Sequence, residues 1–409
     1  MRRHPHGLAI GGWPVAVRWT IYLALILAFV VHGNVESREF VYFSSEPARR
    51  PVLRLLARLA VFAALAAALL EVFFRTALPA SESPIPWQEP TLGLLLYDPA
   101  TPTGVFTSGR LAEQRATWHI NAQGWNAGID YGPVGPSDPP LIAVLGDSQI
   151  EGLYVDWPEN IAARLTALSG GRIQGRAYGG SGYPLASFAL VGRYLAQTGQ
   201  APAVVAVTIN RGDFYYSIRG YGRPRPTMPT WSYDAATGAF THHPPGPYRV
   251  RTVRRLLRAS ALVRYLFFNA GINPLAGDTV ELGMVQRDRW PEAEPAFQPV
   301  MAAAAGHLLD ELRAALPAAR VVFVVEADRR AIHEDHTPAP LEAVPVLRQV
   351  CQARGCGVLD LTPAMSAAFQ ADGQPLNFPH NAHWNAHGHD VAARALYQWL
   401  VGEGIAPPT

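Results

Sequence analysis

Leu141-Ile142-Ala143-Val144-Leu145-Gly146-Asp147-Ser148-Gln149-Ile150-Glu151-Gly152 is the stretch on which the fold turns. An unbroken apolar run closed by a glycine and polar turn residues describes a strand buried on both faces, because a strand with one wet face alternates. Residues 204–209, 321–325 and 358–361 are further runs of this kind. Helical patterns at 160–168, 185–197 and 300–316 lie between them, and one at 391–401 closes the chain. Continuous apolar strands alternating with helices predict an α/β fold, a three-layer doubly wound parallel sheet. Ligands of such sheets bind beyond the carboxyl ends of the strands. Ser148, on a tight turn leaving the first strand, is therefore a candidate nucleophile whose hydroxyl projects past the sheet edge.

A serine nucleophile needs a base. His380-Asn381-Ala382-His383-Trp384-Asn385-Ala386-His387-Gly388-His389 follows the last strand and precedes the last helix, on the same rim as Ser148. Four histidines also suit a metal, but the carboxylates or cysteines that would complete a site are missing nearby. No metal or cofactor is expected.

With these residues in view, the chain from about 115 to 405 resembles the SGNH (GDSL-type) hydrolase and acyltransferase superfamily. Gly146-Asp147-Ser148 matches its first block, and Asn381-Ala382-His383-Trp384 its last. The likeness is greatest to membrane-anchored members that O-acetylate surface polysaccharides. It implies Ser148 as nucleophile, His383 as general base, and an oxyanion hole built from the amides of Ser148 and Gly182. Gly182 lies in Gly179-Gly180-Ser181-Gly182-Tyr183. Two positions depart from the pattern. Asn381 stands where the family has aspartate, which leaves Asp360, at a strand end, as a supporting carboxylate. In the third block, Asn210-Arg211-Gly212-Asp213, Asn210 falls two residues before the family's oxyanion asparagine.

Working outward to the N-terminus, two apolar stretches, 13–32 and 52–74, approach the ~20 residues a bilayer requires. Arg49, Arg50, Arg54 and Arg58 precede the second stretch and Arg75 alone follows it closely, so the positive-inside rule places everything after about residue 76 outside the cytoplasm. Arginines flank both sides of the first stretch, which leaves one or two transmembrane helices open. Residues 1–75 thus form a membrane region, 76–130 a Pro-rich linker with a hairpin, and 131–409 the catalytic domain. Within that domain 219–300 break the strand–helix rhythm as an insertion over the site. Arg38-Glu39-Phe40-Val41-Tyr42-Phe43 resembles the end of the small Phe-Ile-Tyr membrane peptide of the lipoteichoic acid D-alanylation system. That likeness implies Tyr42 as an acyl relay beside a membrane-bound O-acyltransferase, whereas an interfacial aromatic belt explains the same residues without a relay.

Composition narrows the function classes. Apolar residues make up 49% and charged residues only 16% of the 409, which excludes a disordered chain and agrees with lipid contact. The formal charge of +2 gives no footprint for nucleic acid, and all 34 basic residues are arginine. Cys351 and Cys356 are too few for a disulfide scaffold; a bridge and two buried thiols both remain open. Residues 248–268 interleave arginines with apolar residues, as a solvated amphipathic helix, a membrane-surface helix or a face for an anionic glycan would. The expected activity is transfer of a small acyl group, acetyl by the resemblance, to a polysaccharide hydroxyl from a membrane-delivered donor. A hydrolytic esterase with the same residues, and a degenerate glycan-binding or scaffold subunit, are the alternatives.

Overall fold

The computed structural model describes residues 51–222, 225–249, 258–272, 291–334, 338–379 and 381–408. Tyr42 and the first apolar stretch lie outside them. The chain divides into two units. The smaller contains helix α1 (Pro51–Thr76), residues 108–113 and residues 258–272. Its apolar residues Leu56, Leu59, Val61, Leu65 and Leu69 are exposed, and α1 is long and apolar enough to cross a membrane.

The larger unit is built on a five-stranded sheet. Its elements run in the order β1 (Leu141–Gly146), α2 (Ile161–Leu168), β2 (Gln174–Gly179), α3 (Leu185–Gln197) and β3 (Val204–Ile209), then α4 (Gln298–Ala315), β4 (Arg320–Val325), α5 (Ala343–Arg354), β5 (Gly357–Asp360), α6 (Thr362–Asp372) and α7 (Ala386–Gly402). The strand order is β5-β4-β3-β1-β2, and every pairing is parallel. The expected doubly wound α/β sheet is present. Its order reverses between β1 and β3, so the crevice that this topology opens to a ligand lies at the carboxyl ends of those two strands.

The strands follow from their period. Ala143, Leu145, Val205, Val207, Phe323 and Val325 face one side and pack with α3, α4 and α5. Ile142, Val144, Val204, Ala206, Val322 and Val324 face the other and pack with α2, α6 and α7. Both faces are dry, hence the unbroken apolar runs. Helix α7 begins five residues before the apolar pattern at 391, because the Asn385 side chain accepts the Gly388 N–H and starts the helix there. Before β1, the Pro-rich stretch holds two antiparallel pairs, Pro86–Gln88 with Leu95–Tyr97 and Thr103–Ser108 with Gln114–His119. The stretch 219–300 contributes a hairpin, Thr230–Asp234 with Ala239–His243, to the larger unit, while residues 258–272 belong to the smaller.

Cys351 and Cys356 form a disulfide across the end of α5.

Two glycines let the serine turn sit against the sheet. A Cβ on Gly146 would lie 2.1 Å from Thr208 Oγ1 and 2.3 Å from Ile150 Cγ1. A Cβ on Gly179 would lie 2.1 Å from the Glu151 nitrogen and 2.7 Å from the Asp147 oxygen, backbone atoms that cannot swing aside. Gly179→Ala should therefore cost about 1–3 kcal/mol, the usual range for overpacking, and lower the melting temperature by roughly 2–4 °C per kcal/mol. Thermal unfolding measures it, and a melting temperature equal to wild type would show that the turn does not press on β2.

Candidate active site

Ser148 opens a one-turn helix, Ser148–Glu151, directly after β1. Its N-cap is Asp147, whose side chain accepts the Gln149 N–H at 2.9 Å. Residues 381–384 return to this turn as a short strand, Asn381–Trp384, paired with Asn377–Phe378. His383 Nε2 lies 2.7 Å from Ser148 Oγ, and His383 Nδ1 faces Asn381 Oδ1. The backbone N–H of His383 also donates to Asn381 Oδ1 at 3.0 Å. That second bond settles which end of the amide meets the ring, because an amide NH2 could not accept it. The ring proton therefore sits on Nδ1 and the Nε2 lone pair faces the serine hydroxyl. Tyr154 stacks on the imidazole, with centroids 3.9 Å apart.

The sequence brings three widely separated segments together here: Ser148, Asn381 with His383, and Asn210 after β3. The Asn210 side chain hydrogen-bonds Asp147, and its backbone N–H donates to Asp213 at 2.7 Å. Asn210 thus reaches the serine turn despite its early position. Gly182 adopts φ +72°, a conformation glycine allows, and the Arg225 guanidinium lies where a Cβ would meet it at 2.9 Å. Asp360 is engaged elsewhere. Its carboxylate accepts the Thr362 N–H at 2.9 Å and lies 3.9 Å from Arg348, while His383 Nδ1 is held by Asn381. The group that meets the imidazole Nδ1 is thus Asn381 and not Asp360.

Several residues that no motif marks hold this arrangement. The Gln149 side chain bridges the backbone on both sides of His383, accepting Trp384 N–H at 2.9 Å and donating to the Ala382 carbonyl at 3.3 Å. Arg329 donates to the same carbonyl at 2.6 Å and pairs with Glu326 at 2.8 Å. Trp384 Nε1 donates to Glu326 at 3.0 Å. Both charged residues follow β4, at the carboxyl edge where the topology puts ligands, and that position was the available signal. Glu151, from the serine turn, accepts the Ser181 N–H at 2.9 Å, the Ser181 hydroxyl and the Tyr97 hydroxyl. Arg225 donates to the Ser181 carbonyl at 3.1 Å. The glycine loop is thus gripped from both sides.

Burial sets the electrostatics. It pushes the carboxyls of Asp147, Asp213 and Glu326 up, with Arg329 pulling Asp147 and Glu326 the other way. His383 is held down at about 3 by burial, then by the Arg329 charge and by His389. At neutral pH it is an uncharged imidazole able to accept a proton from Ser148.

Of the other described histidines near it, His389 is buried and accepts the Ile161 N–H at 3.3 Å, and His387 lies 3.6 Å from Asp372. Among the described residues the grouping with metal-ligand spacing is a different one, His242, His307 and Glu311. There the imidazoles lie within hydrogen-bond distance of each other at 2.9 Å and Arg193 pairs with Glu311.

No family model and no curated protein matches this chain. Similar solved structures include LAE5, described as an alpha/beta hydrolase enzyme from the metagenome of Lake Arreo, at 13% identity and TM-score 0.34, covering 66% of this chain and 96% of that one. A carbohydrate esterase family 2 enzyme of Corynascus thermopiles shows 12% identity and TM-score 0.35, over 68% of this chain and 70% of that one. A member of the lipolytic G-D-S-L family from Veillonella parvula shows 13% identity and TM-score 0.34, over 64% and 98%. At identities and scores this low, function has to be argued from the site itself.

Burial drives the Glu151 carboxyl up to about 7 against the pull of its three donors. A folded-state value above the ordinary 4.5 means the native state holds a proton that the unfolded chain releases between about pH 4.5 and 7. Stability therefore falls as pH rises through that window, by at most roughly 3 kcal/mol. Glu151→Gln removes the titration. Denaturant unfolding of the full chain should show wild type losing stability relative to this variant from pH 4.5 to 7.5. A stability difference that is flat with pH would mean the carboxyl keeps an ordinary value.

Proposed function

We propose that this chain is a membrane-anchored serine O-acyltransferase, working outside the cytoplasm, that moves a small acyl group, acetyl by resemblance, onto a polysaccharide hydroxyl. The observation that carries the enzyme reading is the relay Ser148–His383–Asn381, with Nε2 at 2.7 Å from Oγ and the imidazole neutral.

The chemistry follows from these atoms. His383 Nε2 takes the Ser148 proton as Oγ attacks the carbonyl carbon of the donor. The tetrahedral oxyanion meets the amides of Ser148 and Gly182 and the Asn210 side chain. Collapse breaks the bond to the leaving group, which takes the proton back from Nε2 and leaves an acyl-serine. The acceptor hydroxyl then yields its proton to Nε2 and attacks the acyl carbon, and the proton returns to Ser148 Oγ. Water in the acceptor's place gives the esterase outcome with the same groups. No step needs a metal or cofactor.

The location rests on α1, on the arginine excess before it, and on the Cys351–Cys356 bridge, a bond that persists in oxidising compartments. Donor delivery by a membrane-bound O-acyltransferase, with Tyr42 as relay, belongs to the same proposal and stands on the sequence resemblance alone.

Ser148→Ala should lower hydrolysis of an activated acetyl ester by at least about 10³-fold without changing the melting temperature, and should abolish an acetyl-serine adduct seen by mass spectrometry of the intact protein. Retained turnover would exclude Ser148 as nucleophile. Adding candidate glycan acceptors to the wild type separates the outcomes: a transferase shows acceptor-dependent acetylated glycan, an esterase only acetate.

Asn381→Asp keeps the shape and adds the charge that stabilises imidazolium. Turnover of the same ester at neutral pH should rise by about tenfold, equivalent to ~1.4 kcal/mol of barrier. Unchanged turnover in the folded variant would mean that position 381 does not set the charge seen by His383.

A further inference from the structure

The end of α1 is fastened into a small polar and aromatic knot. The part of α1 apolar enough to cross a membrane, Leu56–Thr76, is twenty-one residues, about 30 Å at 1.5 Å per residue, the thickness of a bilayer's hydrocarbon core. Glu71 lies in the last turns of that span, so it and the residues after it stand toward the membrane–water boundary if α1 spans. At that level the Glu71 carboxylate accepts Ser260 Oγ at 2.7 Å, Ala261 N–H at 2.8 Å and Leu262 N–H at 2.9 Å. Arg75 donates to Glu71 at 2.7 Å and to the Ala259 carbonyl at 2.5 Å. Phe74 stacks on Tyr265 with centroids 3.8 Å apart. Asn269 accepts the Ser81 N–H and donates to the Gly109 carbonyl, each at 3.1 Å, and the Tyr265 hydroxyl donates to Arg110 at 2.9 Å.

This knot leaves apolar side chains uncovered. Leu111 is 53% exposed, Phe268 38% and Ile272 58%, with Phe268 and Ile272 four residues apart. A lone exposed apolar residue needs no explanation. Three on a unit this small, locked to the boundary end of an apolar helix, do need one. The described residues around the knot also carry Arg75, Arg110, Arg258 and Arg264 against Glu71 and Glu113. That balance suits phosphate headgroups, with apolar tips reaching the acyl boundary beneath them.

We propose that residues 71–81, 108–113 and 258–272 form an interfacial seat that binds the surface of an anionic bilayer and inserts Leu111, Phe268 and Ile272 at the headgroup–acyl boundary. The inference rests on reading α1 as a membrane span, and it accounts for the arginine-interleaved stretch of the insertion that the acyl-transfer chemistry leaves unused.

The two native cysteines are bridged to each other, so a single introduced cysteine can be spin-labelled alone. Leu65→Cys, Ile272→Cys and Ala235→Cys place a nitroxide in α1, on the seat and on an exposed turn of the larger unit. In full-length protein in vesicles of phosphatidylglycerol and phosphatidylethanolamine, oxygen and a water-soluble nickel chelate are compared as relaxants. The Leu65 and Ile272 labels should show an oxygen-to-nickel accessibility ratio severalfold above that at Ala235, with Ile272 shallower than Leu65. A lipid-like Leu65 with a water-like Ile272, or an Ile272 shielded from both relaxants, overturns the seat and leaves the anchor standing. A water-like Leu65 overturns the anchor and the seat together. Phe268→Cys repeats the measurement should Ile272→Cys misfold.

Discussion

The buried ion pair between Glu326 and Arg329, 2.8 Å long with side chains 6–8% exposed, is where the two ends of the larger unit are joined. Nothing in the backbone of β1 obliges residues 381–384 to come near Ser148. Arg329 takes the Ala382 carbonyl and Glu326 takes the Trp384 indole, so one pair grips the peptide on either side of His383. Desolvating two charges costs several kcal/mol per ion, returned only where further hydrogen bonds complete them. Here Glu326 has Trp384 and the Nη2 of Arg329 has Ala382, while Arg329 Nε and Nη1 are buried without a hydrogen-bond partner among the described residues, so the cost is returned only in part. Gln149 adds a neutral clasp from the serine turn to the same two residues. Removing either charge would leave its partner buried and alone, the costly case.

The same pair shapes the chemistry it supports. Burial first, and then the fixed positive charge of Arg329, keep the His383 imidazole neutral and oppose an imidazolium there. A carboxylate behind the ring would ordinarily offset this. Around the serine turn the buried negative groups Asp147, Asp213 and Glu326 accompany Arg329, and their own values are raised by burial. The turn is therefore a place where protonation states are set by exclusion of water more than by paired charges, and Glu151 beneath the glycine loop follows the same rule.

The fold was largely readable because its strands obey a simple constraint. A parallel strand covered on both sides has little room for a polar residue, and residues 141–145, 204–209 and 321–325 hold one, Thr208, whose hydroxyl donates to the Leu145 carbonyl at 2.8 Å. Ser148 and His383 were readable because strand ends and turns place them on one rim. Gln149, Glu326 and Arg329 were not, since their work is to hold atoms more than 50 residues away, as Arg329 does with the Ala382 carbonyl and Glu326 with the Trp384 indole. Polar residues of that kind look in sequence like any turn. Residues 381–384 read as loop, because a strand four residues long, Asn381–Trp384, leaves no periodicity to detect. The amphipathic stretch ending at Phe268 kept three readings open, since its spacing describes a helix face and not what covers it.

If Ser148 and His383 act as proposed, Asn381 keeps the orienting part of a triad aspartate's role without its charge. In a serine-protease triad, replacing the aspartate by asparagine costs about 10⁴ in turnover, because the amide stabilises the wrong imidazole tautomer. That penalty arises when the NH2 end can face the ring. Here the His383 backbone N–H donates to Asn381 Oδ1, which turns the oxygen, not the NH2, toward Nδ1. The tautomer that presents a lone pair to Ser148 is thereby preserved by a local bond within three residues of chain. What the asparagine gives up is confined to the stabilisation of imidazolium, a smaller quantity than the whole effect seen where the amide is free to turn. The short strand Asn381–Trp384, pinned by Gln149 and Arg329, is what keeps that backbone N–H aimed at the side chain of Asn381.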